Sequence, residues 1–205
     1  MQQEDHQETP PNVPFPVCHQ CGKANQEPGT FRLFPGSPPL ASCQECLSNT
    51  AHHEAAHAVT RIKLGLLFEF VTIVPKWEND GDFIKSGSVR YPDAYDENPT
   101  LEHARNTAIS YIAPEEYGFS FSALDLDDAK TILRVVYPDD LDMWEAFSEV
   151  RSAAKGLGEA AEVQAAVATL AEELLRKGTL TEAEAKAIAQ PILAKHACLD
   201  RERLP

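Results

Sequence analysis

This chain has little positive charge for its negative. Its 205 residues carry 18 Lys and Arg against 32 Asp and Glu, a formal net charge of -14. A protein that grips a phosphate backbone shows a basic footprint, so no nucleic-acid partner is expected. The same balance counts against adhesion to anionic lipid. An acidic surface would suit a basic or unfolded polypeptide, although solubility explains it equally well. Long apolar runs are missing too. The longest, around Leu64 to Val74, is broken by Gly65 and Glu69 and is too short to span a bilayer. Residues Met1 to Pro10 hold neither the basic nor the apolar segment of a secretory signal. These absences predict a cytoplasmic protein with no membrane partner. No internal repeat is visible.

What is present begins with cysteine. Five cysteines in a reducing compartment point to metal ligation more than to disulfides. Four form two C-x2-C pairs, Cys18/Cys21 and Cys43/Cys46, with 21 residues between the pairs. Each pair makes a tight knuckle whose thiolates aim at one tetrahedral site, as in a zinc ribbon. Gly22 lets the first knuckle turn, and Thr30 to Phe34 reads as a short strand. Cys198, alone near the end, reads as a small half-buried hydrophobe. Residues 1–16, polar and proline-rich, read as a disordered or extended lead-in.

Separated from Cys46 by six residues, His53-Glu54-Ala55-Ala56-His57 spells H-E-x-x-H. Helical residues four apart are ~40° out of register and rise ~6 Å, so both imidazoles leave one face and can close on one ion. Glu54 sits off that axis, where its carboxylate can serve a water without occupying the metal. The flanks Ala51, Ala55, Ala56, Ala58, Val59 and Ile62 are small or apolar, as a buried helix needs. That helix is predicted over Thr50 to Leu64, with Gly65 as its stop. The ribbon is expected against its N-terminal end.

Phe68 to Val74 then reads as a strand, Lys76 to Lys85 as a polar loop, and residues 87–91 as a short edge strand. Such an edge beside a zinc site could hold an extended peptide as an added strand; an ordinary hairpin strand fits the sequence equally well. Thr100 reads as the N-cap of a helix reaching about Tyr111, after which Ala113 to Gly118 reads as an interruption. A further helix runs from Ser122 to about Val136. Helical stretches at 141–154 and 158–177 follow, then a helix with Thr181 as cap and Glu184 completing a capping box.

A catalytic zinc usually takes three protein ligands and a water. Glu115, Glu116, Asp125, Asp127 and Asp128 are all available as the third, and the residues alone do not choose among them. From Thr50 onward, however, the chain resembles the peptidase domain of the FtsH family of membrane-bound AAA+ zinc proteases. The resemblance rests on His53-Glu-Ala-Ala-His-Ala58, Val71-Thr-Ile-Val-Pro75, the glycine-led Gly87 to Pro92, Asp125-Leu-Asp-Asp-Ala-Lys130 and Leu170 to Leu180, in the family's order. It covers residues 50–190 and implies Asp125 as the third ligand, with Asp127 and Glu116 behind it. Ala56 departs from the family by replacing a glycine. No G-x-x-x-x-G-K-[ST] phosphate loop and no membrane helix accompany the match, so ATP-driven unfolding and anchoring are not implied. The family works as hexamers, which implies self-association as a homo-oligomer.

The expected fold is therefore α+β and mostly helical. A zincin-type metallopeptidase domain with a small β-sheet covers residues 49–205, behind a small zinc ribbon at 17–48. Two zinc ions are expected: one catalytic, on His53, His57 and Asp125, and one structural, on Cys18, Cys21, Cys43 and Cys46. The implied activity is ATP-independent hydrolysis of a polypeptide substrate, with Glu54 as general base. The alternatives are a catalytically inactive, peptidase-like zinc-binding interaction module and, less in keeping with the acidic balance, a ribbon-led nucleic-acid regulator.

Overall fold

The structure, a computed structural model, describes residues 16–24, 31–35, 40–78, 83–91, 99–119 and 122–201. The lead-in, apart from Pro16, and the side chain of Cys198 lie outside the described residues. The described residues are α+β and mostly helical, with six helices and small sheets among them. It divides into two compact units, one up to Gln44 and one from Glu45.

In the first unit, β1 (Phe31–Phe34) and β2 (Leu40–Cys43) form an antiparallel pair, with Phe31 opposite Cys43 and Phe34 opposite Leu40. An isolated bridge joins Val17 and Ala24 around the first knuckle. Gly22 sits at φ +69, a conformation that favours glycine, and its N–H donates to the Cys18 carbonyl at 2.9 Å.

The second unit is built around α1 (Gln44–Leu64). Every residue from Glu54 to Ile62 is buried, so this stretch is covered on all sides. That explains its small side chains and weak amphipathicity, since a helix with no solvent face needs no polar stripe. The helix starts six residues before the predicted Thr50 and ends at Leu64, where Gly65 takes φ +70. Ala56, inside the motif, is fully buried.

Three short strands make one antiparallel sheet in the order β6 (Ser88–Arg90), β3 (Phe70–Thr72), β7 (Thr179–Thr181). Val71 lies opposite both Val89 and Leu180, and all three are buried. The sequence pattern did not mark β7, because three residues before a helix cap are too few to show alternation. Lys76 to Lys85, expected as a loop, instead contains a second antiparallel pair, β4 (Lys76–Glu78) and β5 (Phe83–Lys85). Its signal is the Asn79-Asp80-Gly81 turn sequence between runs bearing Trp77 and Phe83-Ile84.

Helices α2 (Leu101–Glu116), α3 (Ala123–Val136) and α4 (Asp140–Gly158) share a core of Ile109, Ile112, Ile132, Leu133, Met143, Phe147 and Val150. Each such side chain contributes about 1.5–3 kcal/mol when fully buried. Thr100 caps α2 by accepting from the His103 N–H at 3.1 Å, as its sequence predicts. The predicted interruption near Pro114 does not occur, and α2 continues to Glu116 with Pro114 inside it. Helix α5 (Ala161–Lys177) ends at Gly178, and α6 (Glu182–Arg201) follows β7. The capping box at the start of α6 forms: Thr181 N–H donates to Glu184 Oε2 at 2.9 Å, and Glu184 N–H to Thr181 Oγ1 at 3.3 Å.

Candidate metal centres

Helix α1 holds His53 and His57 one turn apart, and α3 brings Asp125 to them. His53 Nε2 lies 3.0 Å from Asp125 Oδ2, His57 Nε2 lies 3.3 Å from the same oxygen, and the two Nε2 atoms are 3.1 Å apart. Three donors on a tetrahedral zinc with bonds of 2.0–2.1 Å stand roughly 3.3 Å from one another. The two nitrogens and one oxygen therefore fit a three-ligand site, and the donor types suit zinc. The acidic helix start that supplies Asp125 has its own reason. Ser122 is the N-cap of α3, accepting from the Asp125 N–H at 3.3 Å, which frees the Asp125 carboxylate from capping.

The imidazoles are oriented from outside the cluster as well. His57 Nδ1 donates to the Ser110 carbonyl at 2.7 Å, which leaves Nε2 as the lone-pair nitrogen facing the cluster. Burial raises the Asp125 carboxyl, but His57 and His53 outweigh it and hold the group far below the usual carboxylate range. The carboxylate is thus ionised and ready to ligate.

Glu54 is 6 % exposed. Burial pushes its carboxyl up to about 7; the charge of His53 opposes this, Asp125 adds to it, and Lys85 opposes it. A carboxyl poised near neutrality is what a proton-transfer group needs. Gly87, just before β6, lies directly on it. A β-carbon at that position would be 2.8 Å from Glu54 Cγ, 2.8 Å from Glu54 Oε1 and 2.8 Å from Thr50 Cγ2. Only glycine fits there without displacing the carboxylate. This role is invisible in the sequence, where Gly87 reads simply as the start of a strand.

Beside His53 and Asp125 opens a small cleft, walled by Tyr111, Ile112, Pro114 and Leu126, with Glu115 and Ser122 also lining it. The remaining candidate carboxylates stay out of the ligand cluster. Glu116 accepts from Arg151 Nε at 2.6 Å, Glu115 pairs with Arg151 at 3.6 Å, and Asp127 is exposed; none belongs to the His53 group. His52 stays outside it too, with Nδ1 donating to the Ser48 carbonyl at 2.9 Å.

The second cluster is Cys18, Cys21, Cys43 and Cys46, whose sulfurs all lie within 4.8 Å of one another. All four are free thiols rather than disulfides, and Cys21 Sγ stands 3.7 Å from Cys43 Sγ. Thiolates around one tetrahedral zinc at 2.3 Å stand roughly 3.8 Å apart, so this donor set fits zinc. Burial raises the Cys18 thiol, but hydrogen bonds from the backbone of Cys43, Cys21 and Gln20 and from the Cys21 side chain bring it down to about 6. One of these is the Cys43 N–H, 3.4 Å from Cys18 Sγ. His19, inside the first knuckle, is half-buried, and its Nδ1 sits 2.8 Å from the Ala41 carbonyl.

No protein-family model matches the chain, and no curated protein matches it. Among the described residues, no helix is long and apolar enough to cross a membrane.

Proposed function

We propose that the protein is an ATP-independent zinc metallopeptidase of zincin type, similar in its second unit to the FtsH peptidase domain. The observation that carries this reading is the meeting of His53, His57 and Asp125 at 3.0–3.3 Å. The next residue, Glu54, is buried and has a carboxyl pushed up to about 7. An ion held by the three would supply a Lewis acid for the scissile carbonyl and would acidify the attacking water. Glu54 takes the proton from that water and hands it to the leaving amine, which needs a carboxyl that can both lose and hold a proton near neutrality. Burial excludes competing solvent from it. The polypeptide lies along β6, whose far edge carries no partner strand among the described residues. The four cysteines hold a structural zinc.

The test uses the full chain, zinc-loaded, with unfolded casein as substrate. Cleavage is expected from the wild type and should stop with chelator. Glu54→Gln should keep its zinc and lose cleavage. Turnover retained in that variant would rule out the assigned role. Zinc bound at both sites, with no cleavage of casein or a broad peptide library, would assign the protein instead as an inactive zinc-binding interaction module.

A further inference from the structure

Pro114 lies inside α2, four residues after Ser110. In an α-helix the Ser110 carbonyl would accept from the N–H of residue 114, and proline has none. The acceptor is put to other use: His57 Nδ1 donates to it at 2.7 Å. Both partners are buried. Ser110 is also held through its side chain. Arg61 Nη1 donates to Ser110 Oγ at 3.2 Å, and Ser110 Oγ donates to the Thr107 carbonyl at 2.7 Å. Arg61 is itself anchored on the Leu67 carbonyl through Nε at 3.0 Å and Nη2 at 2.6 Å. The Ser110 carbonyl is thus a well-held acceptor for which no N–H of residue 114 competes.

We infer that Pro114 is a positioning residue for His57: by withholding its own N–H it leaves the Ser110 carbonyl free to set the imidazole's tautomer and angle, and so prepares Nε2 to bind metal. This inference rests on the metal reading of the His53, His57 and Asp125 cluster but not on proteolysis. A histidine free to choose its tautomer mostly puts the proton on Nε2, where it would block ligation. The bond to Ser110 removes that competition. Losing the outer partner of a metal-bound histidine typically costs 10–100-fold in metal affinity.

The experiment compares wild type, Pro114→Ala and Pro114→Gly as full chains. Zinc is titrated against a competing chelator, with the four-cysteine site as internal reference. Both variants restore an N–H that competes for the Ser110 carbonyl. The histidine-side affinity should fall 10–100-fold in each, with the cysteine site unchanged. The metal-free Pro114→Ala chain should melt no lower than wild type, since alanine is the better helix former. In the zinc-loaded proteins, proton NMR should show the His57 Nδ1–H as a protected, hydrogen-bonded resonance in wild type, and lost to exchange in the variants. Equal histidine-side affinity and an unchanged Nδ1–H signal overturn the inference. A wild type that takes up only one zinc, at the cysteines, overturns it together with the metal reading.

Discussion

Gly87 presses its backbone against the carboxylate of Glu54, at a distance that leaves no room for a side chain. A β-carbon there would meet both Cγ and Oε1 of Glu54 at 2.8 Å. Gly87→Ala should therefore move the carboxylate of a fully enclosed residue. Overpacking of this kind costs about 1–3 kcal/mol of stability, and a displaced proton-transfer group costs about 100-fold in turnover. Zinc content should be unchanged. The check is casein cleavage, metal analysis and urea unfolding on the same preparation; unaltered cleavage would show that Glu54 is not held by this strand.

Glu54 also makes a prediction for the metal-free chain. Its carboxyl moves from the ordinary 4.5 to about 7 on folding. Between those values the folded state binds the extra proton, so this residue's contribution to stability is full below about 4.5 and is lost as pH rises through 7. Glu54→Gln removes the titration. In chelator, the stability of the variant relative to wild type should grow from pH 5 to pH 8, by up to the order of 3 kcal/mol. Asp125 works in the opposite sense, since its depressed carboxyl loses stability only as pH falls below its ordinary 3.8, outside this window.

Metal content separates the two clusters. Wild type should carry two zinc ions per chain. Cys43→Ser should carry one and lose the fold of the first unit, because a small four-cysteine site supplies folding energy outright. Asp125→Asn should keep the cysteine zinc and weaken the other site by at least 10-fold. Elemental analysis with a chelator titration reads both. Equal loss of both ions in either variant would contradict two independent sites.

Gly158 offers a control that touches stability alone. A β-carbon there would collide with the Tyr117 ring at Cδ1. The Tyr117 hydroxyl is 2.6 Å from Thr60 Oγ1 on α1, and burial pushes it up to about 12. Gly158→Ala should lower the melting temperature, with a cost of about 1–3 kcal/mol. Zinc affinity should stay at the wild-type value, which a chelator titration checks.

The parts of the site written in local spacing could be read directly. His53 and His57 announce themselves because a helix turn is short, and the cysteine knuckles because each needs only four consecutive residues. Asp125 could not be read this way. It stands 72 residues from His53, and nothing local distinguishes it from Asp127 or Glu116; only the resemblance to a known family pointed to it. Pro114 was misread for a physical reason. Proline usually marks a helix end, and the compensation that keeps this one inside α2 comes from His57, on a different helix. Short strands were the weakest point, since β7 and the β4–β5 pair offer three residues each.

The three-stranded sheet joins Thr72 to Thr179 across 107 positions. A ribosome making this chain releases H-E-x-x-H early and the strand that completes the sheet beside β3 more than a hundred residues later. Until then a nascent molecule owns the motif but lacks the strand that pairs with β3 from Phe70 to Thr72.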